Sequence, residues 1–476
     1  MPQTKTISSR TTLNLLAGDS VEIYNMYVPE PEPVTDLAAV GGYGEIVLTW
    51  TAIPEVEYRV EYSILGVDWV VLDSVVAGTK THNGLTYRIG FFYRVIPILG
   101  GFEGTPSNVV QEFTLLRVLE VGPEILGNSK YIGGAFFNDK IYAPPFVKEF
   151  GIVFDTTDNS VTTMTGSFPE ANSFESPIRH TDDVTYLVPG GNDKFGKLTL
   201  STESIVEVGG ALSAFSYLAG VKHTNGYIYC APFKADRCLL FNIATEAWAK
   251  FGTTFTGFDK FATILESTLN GCIYALPRYD NPSANRFLKI DPSIDPLSPT
   301  TTLIGTTFTS PNGRFSYMVQ AQNGMFYVLP DTDDRVWKLN PLTDTTTQIG
   351  PVFAASSLKF GGGILLADGR IICPALNESR CLVIDTNTDT VSLFGDTYAG
   401  SSKWRSFVMG SNGKLYAIPS TSTSILEVDP VTLNTYLVGD TAIPPLSILY
   451  GSGYLNSDGD MFGLIFNGNR FLKLTS

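Results

Sequence analysis

The sequence predicts an all-β protein, and three observations carry this prediction. Only 17% of the 476 residues are charged, below the usual quarter, and Thr, Ser, Gly and Asn take their place. This balance is typical of sheet proteins with many turns. Short apolar runs bounded by Asn-Gly, Asp-Gly and Asn-Pro dipeptides recur from about residue 114 to the end of the sequence. The length exceeds one ordinary hydrophobic core, so we expect two or more domains or a large repeat array.

The first 32 residues are interpreted as an attachment segment. Residues 1–28 match neither of the domains that follow, and VPEPEPV (28–34) predicts a short stiff linker. We expect residues 1–28 to form a docking arm that orders against a partner, with a floppy tail as the alternative. The segment lacks the long apolar stretch of a signal peptide, and the sequence has no run of 18 apolar residues. We therefore expect neither a signal peptide nor membrane insertion.

Residues 33–113 contain strand-like runs that do not repeat. Trp50 follows the run EIVLT, and Leu85 is followed six residues later by Phe91 and then by Arg94-Val95. This pattern resembles the fibronectin type III family over the whole segment, with Trp50 at the place of the core tryptophan. Phe91 stands where the family usually has a tyrosine, which removes one hydrogen bond but not the packing. The resemblance implies a β-sandwich that serves as a spacer or interaction module without catalysis.

One phrase recurs after residue 114. A turn dipeptide is followed three residues later by a large apolar residue, usually Tyr, and then by a Pro in all copies but the last. The dipeptides are Asn138-Asp139, Asp182-Asp183, Asn225-Gly226, Asn270-Gly271, Asn323-Gly324, Asp368-Gly369, Asn412-Gly413 and Asp458-Gly459. The large residues are Tyr142, Tyr186, Tyr229, Tyr274, Tyr327, Ile372, Tyr416 and Phe462. The prolines are Pro145, Pro189, Pro232, Pro277, Pro330, Pro374 and Pro419. Asn-Gly and Asp-Gly favour the positive φ angles of a type I′ turn, so each copy predicts a hairpin.

Each copy continues with a third apolar run and a fourth run that ends in Gly, at a period of about 44 residues. Four strands at this period predict a β-propeller blade. Eight copies predict eight blades, with seven as the alternative if the second copy does not pack as a blade. The last copy has no fourth run, and the run near residues 114–122 is expected to supply it and close the ring. Without a WD signature, residues 114–476 resemble a degenerate kelch-like propeller.

The sequence shows no set of residues that predicts catalysis. His180 and His223 occupy equivalent places in adjacent copies and could share a metal or provide a base, but no third ligand accompanies them. Drift within the repeat is the favoured alternative. No nucleophile-elbow, zinc-protease or P-loop motif is present. We expect no enzymatic activity, no cofactor and no bound metal.

The cysteines occur at matching places in two copies. Cys230 and Cys238 lie eight residues apart on neighbouring predicted strands, and so do Cys373 and Cys381. Each pair could form a cross-strand disulfide, but buried free thiols are the favoured interpretation. The odd total of five cysteines fits a reducing compartment.

One constellation points to binding. Five arginines begin the third runs of their copies, and an acidic loop precedes one of them. These candidate binding residues are Arg237, Arg286, Asp331, Asp333, Asp334, Arg335, Arg380 and Arg470. Guanidinium groups on one rim of a propeller would suit an acidic glycan or phosphate, with local ion pairs as the alternative. Variable loops on a rigid scaffold carry function, so we expect the binding surface on the loops between second and third strands.

The module order and composition resemble structural proteins of tailed bacteriophage virions. A net charge of −15 without a basic stripe argues against nucleic acid as a partner. The resemblance implies a non-enzymatic virion component in the tail, fibre or capsid decoration, assembled in the host cytoplasm in multiple copies. Residues 1–28 would bind other virion proteins, and the propeller would bind protein or a host-surface glycan. An exported bacterial protein that binds or cleaves glycans is the alternative.

Overall fold

The structure is a computed structural model that divides the chain into two compact units, one ending at Thr114 and one beginning at Leu115. The sequence places this boundary one residue earlier. The described residues are 30–475 without 43, 86–89, 169–172, 214, 279–280, 282, 309–314, 355–357 and 439–449, and for 315 and 316 only the backbone is described. The predicted docking arm, residues 1–28, lies outside this range. Within it, no helix is long and apolar enough to cross a membrane.

Unit 1 has eight strands in its described part, arranged in two antiparallel sheets. The strands are β1 Ala38–Gly41, β2 Glu45–Thr49, β3 Glu57–Ser63, β4 Val70–Val75, β5 Thr79–Asn83, β6 Gly90–Leu99, β7 Phe102–Glu103 and β8 Val110–Phe113. One sheet has the order β1-β2-β5, and the other has the order β4-β3-β6-β7 with β8 also paired to β6. Both sheets contribute to one core, which contains Leu48 of β2, Val60 of β3, Val95 of β6 and the buried Trp50. The alternating burial along β2 and β6 explains why these runs form half-buried strands.

Unit 2 begins with β9 Arg117–Val121 and continues with strands only, as far as it is described. The next sixteen are β10 Ala135–Phe137, β11 Lys140–Ala143, β12 Ile152–Asp155, β13 Val161–Thr163, β14 Phe174–Arg179, β15 Val184–Pro189, β16 Phe195–Thr199, β17 Ser204–Val208, β18 Gly220–Lys222, β19 Tyr227–Cys230, β20 Cys238–Asn242, β21 Ala247–Phe251, β22 Phe261–Glu266, β23 Ile273–Pro277, β24 Phe287–Asp291 and β25 Thr300–Ile304. The remainder are β26 Phe315–Gln320, β27 Phe326–Pro330, β28 Val336–Asn340, β29 Thr345–Ile349, β30 Ile364–Leu365, β31 Arg370–Cys373, β32 Cys381–Asp385, β33 Thr390–Phe394, β34 Trp404–Met409, β35 Leu415–Pro419, β36 Ile425–Val428, β37 Thr435–Val438, β38 Tyr450–Leu455, β39 Met461–Ile465 and β40 Phe471–Thr475.

These strands form eight four-stranded antiparallel sheets in the described residues. Sheets 1 to 7 each use four consecutive strands, from β10–β13 to β34–β37, and sheet 8 has the order β38-β39-β40-β9. Phe471 pairs with Val121 and Thr475 with Arg117, so the run near residues 114–122 supplies the fourth strand of the last sheet, as the sequence predicts. First strands of neighbouring sheets contact one another, for example β14 with β18 and β34 with β38. They therefore lie toward a common axis, as in a β-propeller.

The antiparallel order gives unit 2 two edges. At one edge, named here the upper rim, second strands end and third strands begin. The prolines lie there, opposite the aromatic residue that begins the first strand, as in Phe174↔Pro189 and Trp404↔Pro419. A bulge follows each of these two aromatic residues in the first strand. Pro cannot donate a hydrogen bond to a neighbouring strand. It is tolerated at this end of the strand because the bulge interrupts the regular pairing there.

The predicted type I′ turn is correct for the first copy and wrong for the Asn-Gly and Asp-Gly copies, in which only the glycine has positive φ. Asn138 and Asp139 both have positive φ, 48° and 56°, and form a two-residue loop between β10 and β11. In the third copy only Gly226 has positive φ, at 88°. Its N–H donates to the carbonyl of His223 (3.2 Å), which makes a four-residue turn with glycine in the last place. The Asn225 side chain instead forms a hydrogen bond, in which its amide nitrogen donates to the hydroxyl of Tyr229, four residues later.

This hydrogen bond between Asn and Tyr is part of a set of contacts that we name the latch. A latch consists of the contacts that one sheet makes with the turn between the third and fourth strands of the next sheet. Nδ2 of Asn323 donates to the hydroxyl of Tyr327 (3.2 Å) and to the carbonyl of Thr386 (2.8 Å). The Tyr327 hydroxyl donates to Oδ1 of Asp389 (2.6 Å), and Nζ of Lys338 donates to Oδ2 (2.6 Å). Asn270, Tyr274, Lys289 and Asp344 repeat the arrangement one sheet earlier. The recurring Tyr is therefore a residue that joins sheets.

The sixth copy replaces this polar latch with an apolar one. Ile372, Val383 and Leu433 take the places of the tyrosine, lysine and aspartate and pack in one cluster. The carbonyl of Pro430, equivalent to that of Thr386, accepts a hydrogen bond from Nη2 of Arg370 instead (2.6 Å). The substitutions are mutually consistent, which indicates that the latch functions as a unit.

The upper rim contains a feature that the repeat analysis misses, a set of buried lysines. Each stands directly before an aromatic residue that either begins the first strand or lies a few residues before it. They are Lys130, Lys260, Lys359 and Lys403, and each is at most 3% exposed. Their ammonium groups donate to backbone carbonyls, and each reaches the preceding sheet's loop between second and third strands. Lys403, for example, bonds the carbonyls of Glu378 (2.8 Å) and Leu376 (3.2 Å). The lysines thus join successive sheets at the upper rim, and the latches join them at the opposite edge.

Removing one of these lysines is expected to change the pH dependence of stability. Burial, with the nearby charge of Lys148, lowers the pKa of Lys130 from 10.5 to about 8. Between these values the unfolded chain keeps a proton that the folded chain releases, so the free energy of unfolding should rise with pH. The contribution is at most about 1.4 kcal/mol per pH unit for one proton. Urea unfolding at pH 7.5 to 9.5 should show a smaller rise for Lys130→Met than for the wild type; parallel profiles would contradict this.

Candidate functional site

The structure places the predicted arginines on the upper rim, at the start of third strands. Two of them donate hydrogen bonds to backbone carbonyls. Nε of Arg286 donates to the carbonyl of Gly305 (3.0 Å), and Nε of Arg380 donates to that of Gly395 (3.0 Å). Each glycine directly follows the fourth strand of the sheet to which its arginine belongs. Arg237 and Arg470 are exposed, and Nε of Arg237 donates to the hydroxyl of Thr254 (3.3 Å).

The alternative prediction, in which the arginines form ion pairs with acidic residues next to them in the sequence, also differs from what the structure shows. Asp236 pairs with Lys250 (2.7 Å) rather than with an adjacent arginine. In the acidic loop, Asp333 is 4% exposed and accepts hydrogen bonds from the backbone N–H of Arg335 (3.1 Å) and from the indole of Trp337 (3.1 Å). Asp333 therefore shapes the loop.

Asp331 fastens this loop to the next sheet. Its carboxylate accepts from the N–H of Leu358 (2.6 Å), and its carbonyl accepts from Nζ of Lys359 (3.0 Å). The carbonyl of Asp334 accepts from the N–H of Phe353 (2.7 Å). These three interactions support the loop, and Arg335 remains half-buried beside it.

His180 and His223 do not share a site. Nε2 of His223 lies 3.1 Å from the carbonyl of Gly271 and 3.5 Å from Oε1 of Glu266, both in the following sheet. The His180 ring packs against Tyr186 in its own sheet, with centroids 5.9 Å apart. No group of three metal-ligating side chains occurs among the described residues.

The cysteines are free thiols, as the sequence favours. Cys230 and Cys238 are buried in β19 and β20, and Cys373 and Cys381 are buried in β31 and β32. Burial raises the pKa of each of these four thiols, which makes them unreactive at neutral pH.

The inner part of the upper rim brings together charged residues that sequence reasoning misses. Glu175 is the bulge residue of β14 in sheet 2, between Phe174 and Ser176 in the register. Arg278 follows the last residue of β23 in sheet 4, and its guanidinium lies 5.3 Å from the ring centroid of Phe233. Burial raises the pKa of Glu175 to about 7, and the positive charge of Arg278 opposes this rise. The positive charge that acts on this carboxyl thus comes from sheet 4, two sheets away.

A second pair spans sheets 5 and 7. Arg405 lies in the bulge of β34, so it occupies the same place in sheet 7 as Glu175 does in sheet 2. Burial raises the pKa of Tyr317 in β26, and the charge of Arg405 lowers it. Between them, sheet 6 has Gly361 and Gly362, and the N–H of Gly362 donates to the carbonyl of Arg405 (2.7 Å). A Cβ on Gly361 would lie 2.3 Å from that carbonyl oxygen, so only glycine permits this approach.

We name Glu175, Arg278, Tyr317 and Arg405 the mouth cluster. All four lie at the upper rim on or beside first strands, which face the common axis. Nε of Arg405 is buried without a hydrogen-bond partner in the described part of the chain. Since a buried donor without a partner costs about 1–3 kcal/mol, such an atom favours an acceptor supplied by a ligand. The Arg405 guanidinium suits recognition of a polar anion, because it can donate two parallel hydrogen bonds to a carboxylate or phosphate.

No family model matches the chain, and no curated protein matches it. Among solved structures it is similar to the Dos1 propeller, with 10% identity, 76% of this chain and 95% of that chain covered, and a TM-score of 0.52. Virginiamycin B lyase from Staphylococcus aureus is similar at 11% identity, with 76% and 99% covered and a TM-score of 0.46. An auxiliary nutrient binding protein from Bacteroides thetaiotaomicron is similar at 11% identity, with 94% and 98% covered and a TM-score of 0.43. At such identities only the fold is shared, and the first likeness supports a β-propeller.

Proposed function

We propose that this chain is a non-enzymatic binding component of a bacteriophage virion. In this proposal residues 1–28 attach the chain to other virion proteins, and unit 1 is a fibronectin type III-like sandwich that acts as a spacer. The eight sheets of unit 2 form one eight-bladed ring, present in several copies per particle, that binds a host-surface glycan or a protein.

The mouth cluster is the observation that carries the binding role. The recurring Tyr, Lys and Asp side chains are used in latches between sheets, and the buried lysines are used for backbone carbonyls. Arg405 differs from them because its buried Nε has no partner within the described residues. Strands that support this cluster belong to a rigid scaffold, which is how binding sites are commonly built.

The finer parts of the proposal have separate support. The three-strand and five-strand sheets of unit 1 enclose one core that contains Trp50, as a fibronectin-like sandwich requires. The pairing of β9 with β40 suits a closed ring. The virion role rests on the order of modules and on the composition, with 17% charged residues and many Thr, Ser and Gly.

Deleting residues 1–28 is expected to abolish incorporation into particles and to leave a soluble, folded protein. The test is immunoblotting of purified particles from cells that produce either the full chain or the deletion variant. A matched control lacks residues 34–113 but keeps residues 1–33, and it should still be incorporated. Circular dichroism and the urea midpoint of the soluble deletion variant should equal those of the full chain.

Normal incorporation of the chain without residues 1–28 would overturn the attachment role. Absence of the full chain from every particle fraction would overturn the virion assignment. Incubation of the full chain with host-surface glycan, followed by product analysis, should return the glycan intact. Shortened products would favour the glycan-cleaving alternative.

A further inference from the structure

We infer that a cavity between sheets 2 and 3, at the edge opposite the upper rim, binds the acetamido group of an N-acetylated sugar. The inference rests on the proposed binding of a host-surface glycan for its class of ligand. It places this sugar in a site separate from the mouth cluster.

The cavity lies where sheet 2 forms an incomplete latch with sheet 3. The hydroxyl of Tyr186 (3.3 Å) and the ammonium group of Lys197 (2.6 Å) both donate to Oε1 of Glu246, much as tyrosine and lysine bond the aspartate in other latches. The asparagine is missing, because Asp182 has its place in the repeat and pairs with Arg179 instead (3.0 Å). The amide that reaches the next sheet in other copies is therefore absent from this one.

The loss of the asparagine leaves a backbone acceptor open. In the latch of sheet 5, the amide of Asn323 donates to the carbonyl of Thr386 (2.8 Å), and the hydroxyl of Tyr327 lies 3.1 Å from the same oxygen. Ile243 has the equivalent place in the turn of sheet 3, three residues before Glu246. In the described part of the chain, no backbone N–H, amide or hydroxyl donates to its carbonyl. An N–H of a ligand can therefore take the position of the missing amide.

A cavity of about 460 Å³ occupies this position, and small-molecule sites commonly measure roughly 300–1,000 Å³. Such a volume leaves room for a sugar ring beside an amide. Its lining includes His180, Val184, Ile243 and Ala244. Nδ1 of His180 is buried and has no hydrogen-bond partner among the described residues. Gly226 also lines the cavity, and a Cβ built on it would meet no atom within 4 Å, so this part of the wall is open.

An acetamido group matches the three kinds of surface in this cavity. Its N–H can donate to the carbonyl of Ile243, and its oxygen can accept from Nδ1 of His180 when the ring carries its proton there. Its methyl group suits the side chains of Val184 and Ala244, which gain from contact with an apolar group. The primary amide of an asparagine side chain would supply the N–H without the methyl group. The lining therefore favours the N-acetylated sugar.

The charges around the cavity favour a neutral ligand. Lys197 is the charged residue of the lining, and its ammonium group is already paired with Glu246 (2.6 Å). Burial, with the nearby charges of Lys222 and Lys197, lowers the pKa of His180, so the imidazole is neutral at pH 7. An acidic sugar would meet no unpaired cation among the residues that line the cavity.

The test is ligand-detected NMR titration of the purified full chain with sugars that differ in the acetamido group, namely N-acetylglucosamine with glucose and chitotriose with cellotriose. We expect binding of the acetamido member of each pair, with the strongest saturation transfer at its methyl protons. His180→Phe keeps a ring but removes Nδ1 and should lower the affinity at least tenfold. His180→Asn returns a polar amide near that place and should recover part of the loss. Ala244→Phe fills the cavity and should abolish binding.

Two control variants should bind like the wild type. Leu342→Phe adds the same side chain at the equivalent turn position of sheet 5, where the side chain is exposed and the latch has its asparagine, Asn270. Arg405→Met removes the guanidinium of the mouth cluster. The urea midpoints of all variants establish that each is folded.

Equal binding of glucose and N-acetylglucosamine, or binding of neither acetamido sugar, would contradict the inference. Unchanged affinity in both His180→Phe and Ala244→Phe would do the same. If Arg405→Met abolishes binding while His180→Phe retains it, the sugar binds at the mouth cluster, and the proposed glycan binding stands without this site. Competition by an asparagine-containing peptide at the concentration of the sugar would assign the cavity to a partner protein instead. Incorporation into particles is measured separately, so none of these outcomes decides the virion role.

Discussion

Replacing Lys403 with Met is expected to lower the free energy of unfolding of unit 2 by about 2–4 kcal/mol. Lys403 is 3% exposed, and its ammonium group donates to the carbonyls of Leu376 (3.2 Å), Glu378 (2.8 Å) and Gly400 (3.0 Å). Methionine fills a similar volume but donates no hydrogen bond. The three carbonyls would then remain buried without the donor that joins sheet 6 to sheet 7.

Urea unfolding followed by fluorescence is a direct measurement, because Trp404 is the next residue and is 1% exposed. Lys250→Met is the matched control, since Lys250 is 40% exposed at its side chain and pairs with Asp236. An exposed pair of this kind contributes about 0–1 kcal/mol. Equal midpoints for Lys403→Met and the wild type would show that the buried ammonium group contributes nothing to the junction of sheets.

The lysines illustrate what repeat analysis can and cannot find. The hairpins, the closing strand and the free thiols follow from local patterns, because each depends on neighbours in the sequence or on a regular period. Lys130, Lys260, Lys359 and Lys403 stand in connections of variable length between copies, so counting from the turn does not align them. A better signal was present, namely the aromatic residue that each lysine precedes: Tyr131, Phe261, Phe360 and Trp404.

The mouth cluster could not be predicted from the sequence for a different reason. Glu175 and Arg405 occupy bulges, which break the alternation by which strand residues are assigned to faces. Their partners, Arg278 and Tyr317, lie two sheets away from them, at separations that no local pattern contains. The predicted arginines were easier to find because they share a regular place, and that regularity reflects a shared structural role for Arg286 and Arg380.

The latches permit a test in which the polar latch of one copy is replaced by the apolar residues that the sixth copy has at the same places. Asp389→Leu removes the acceptor of both the Tyr327 hydroxyl and the Lys338 ammonium group. We expect it to lower the free energy of unfolding by about 1–3 kcal/mol, because two polar groups lose a charged partner in a partly solvated place. The side chains of Lys338 and Asp389 are 24% and 36% exposed, which keeps the effect below that of a fully buried pair.

The sixth copy shows which further changes should compensate. Adding Tyr327→Ile and Lys338→Val gives the apolar set of Ile372, Val383 and Leu433. It also removes the Tyr327 hydroxyl, which is one of the two donors to the carbonyl of Thr386 and the second acceptor of the Asn323 amide. Adding Asn323→Asp and Met325→Arg as well provides the donor that Arg370 gives to Pro430 in the sixth copy (2.6 Å). The five-fold variant should therefore recover at least about half of the loss, and the three-fold variant should recover less. Urea midpoints of the single, three-fold and five-fold variants measure this order. If the losses of the five substitutions simply add, the latch is not a cooperative unit, and the matched apolar set in the sixth copy has another cause.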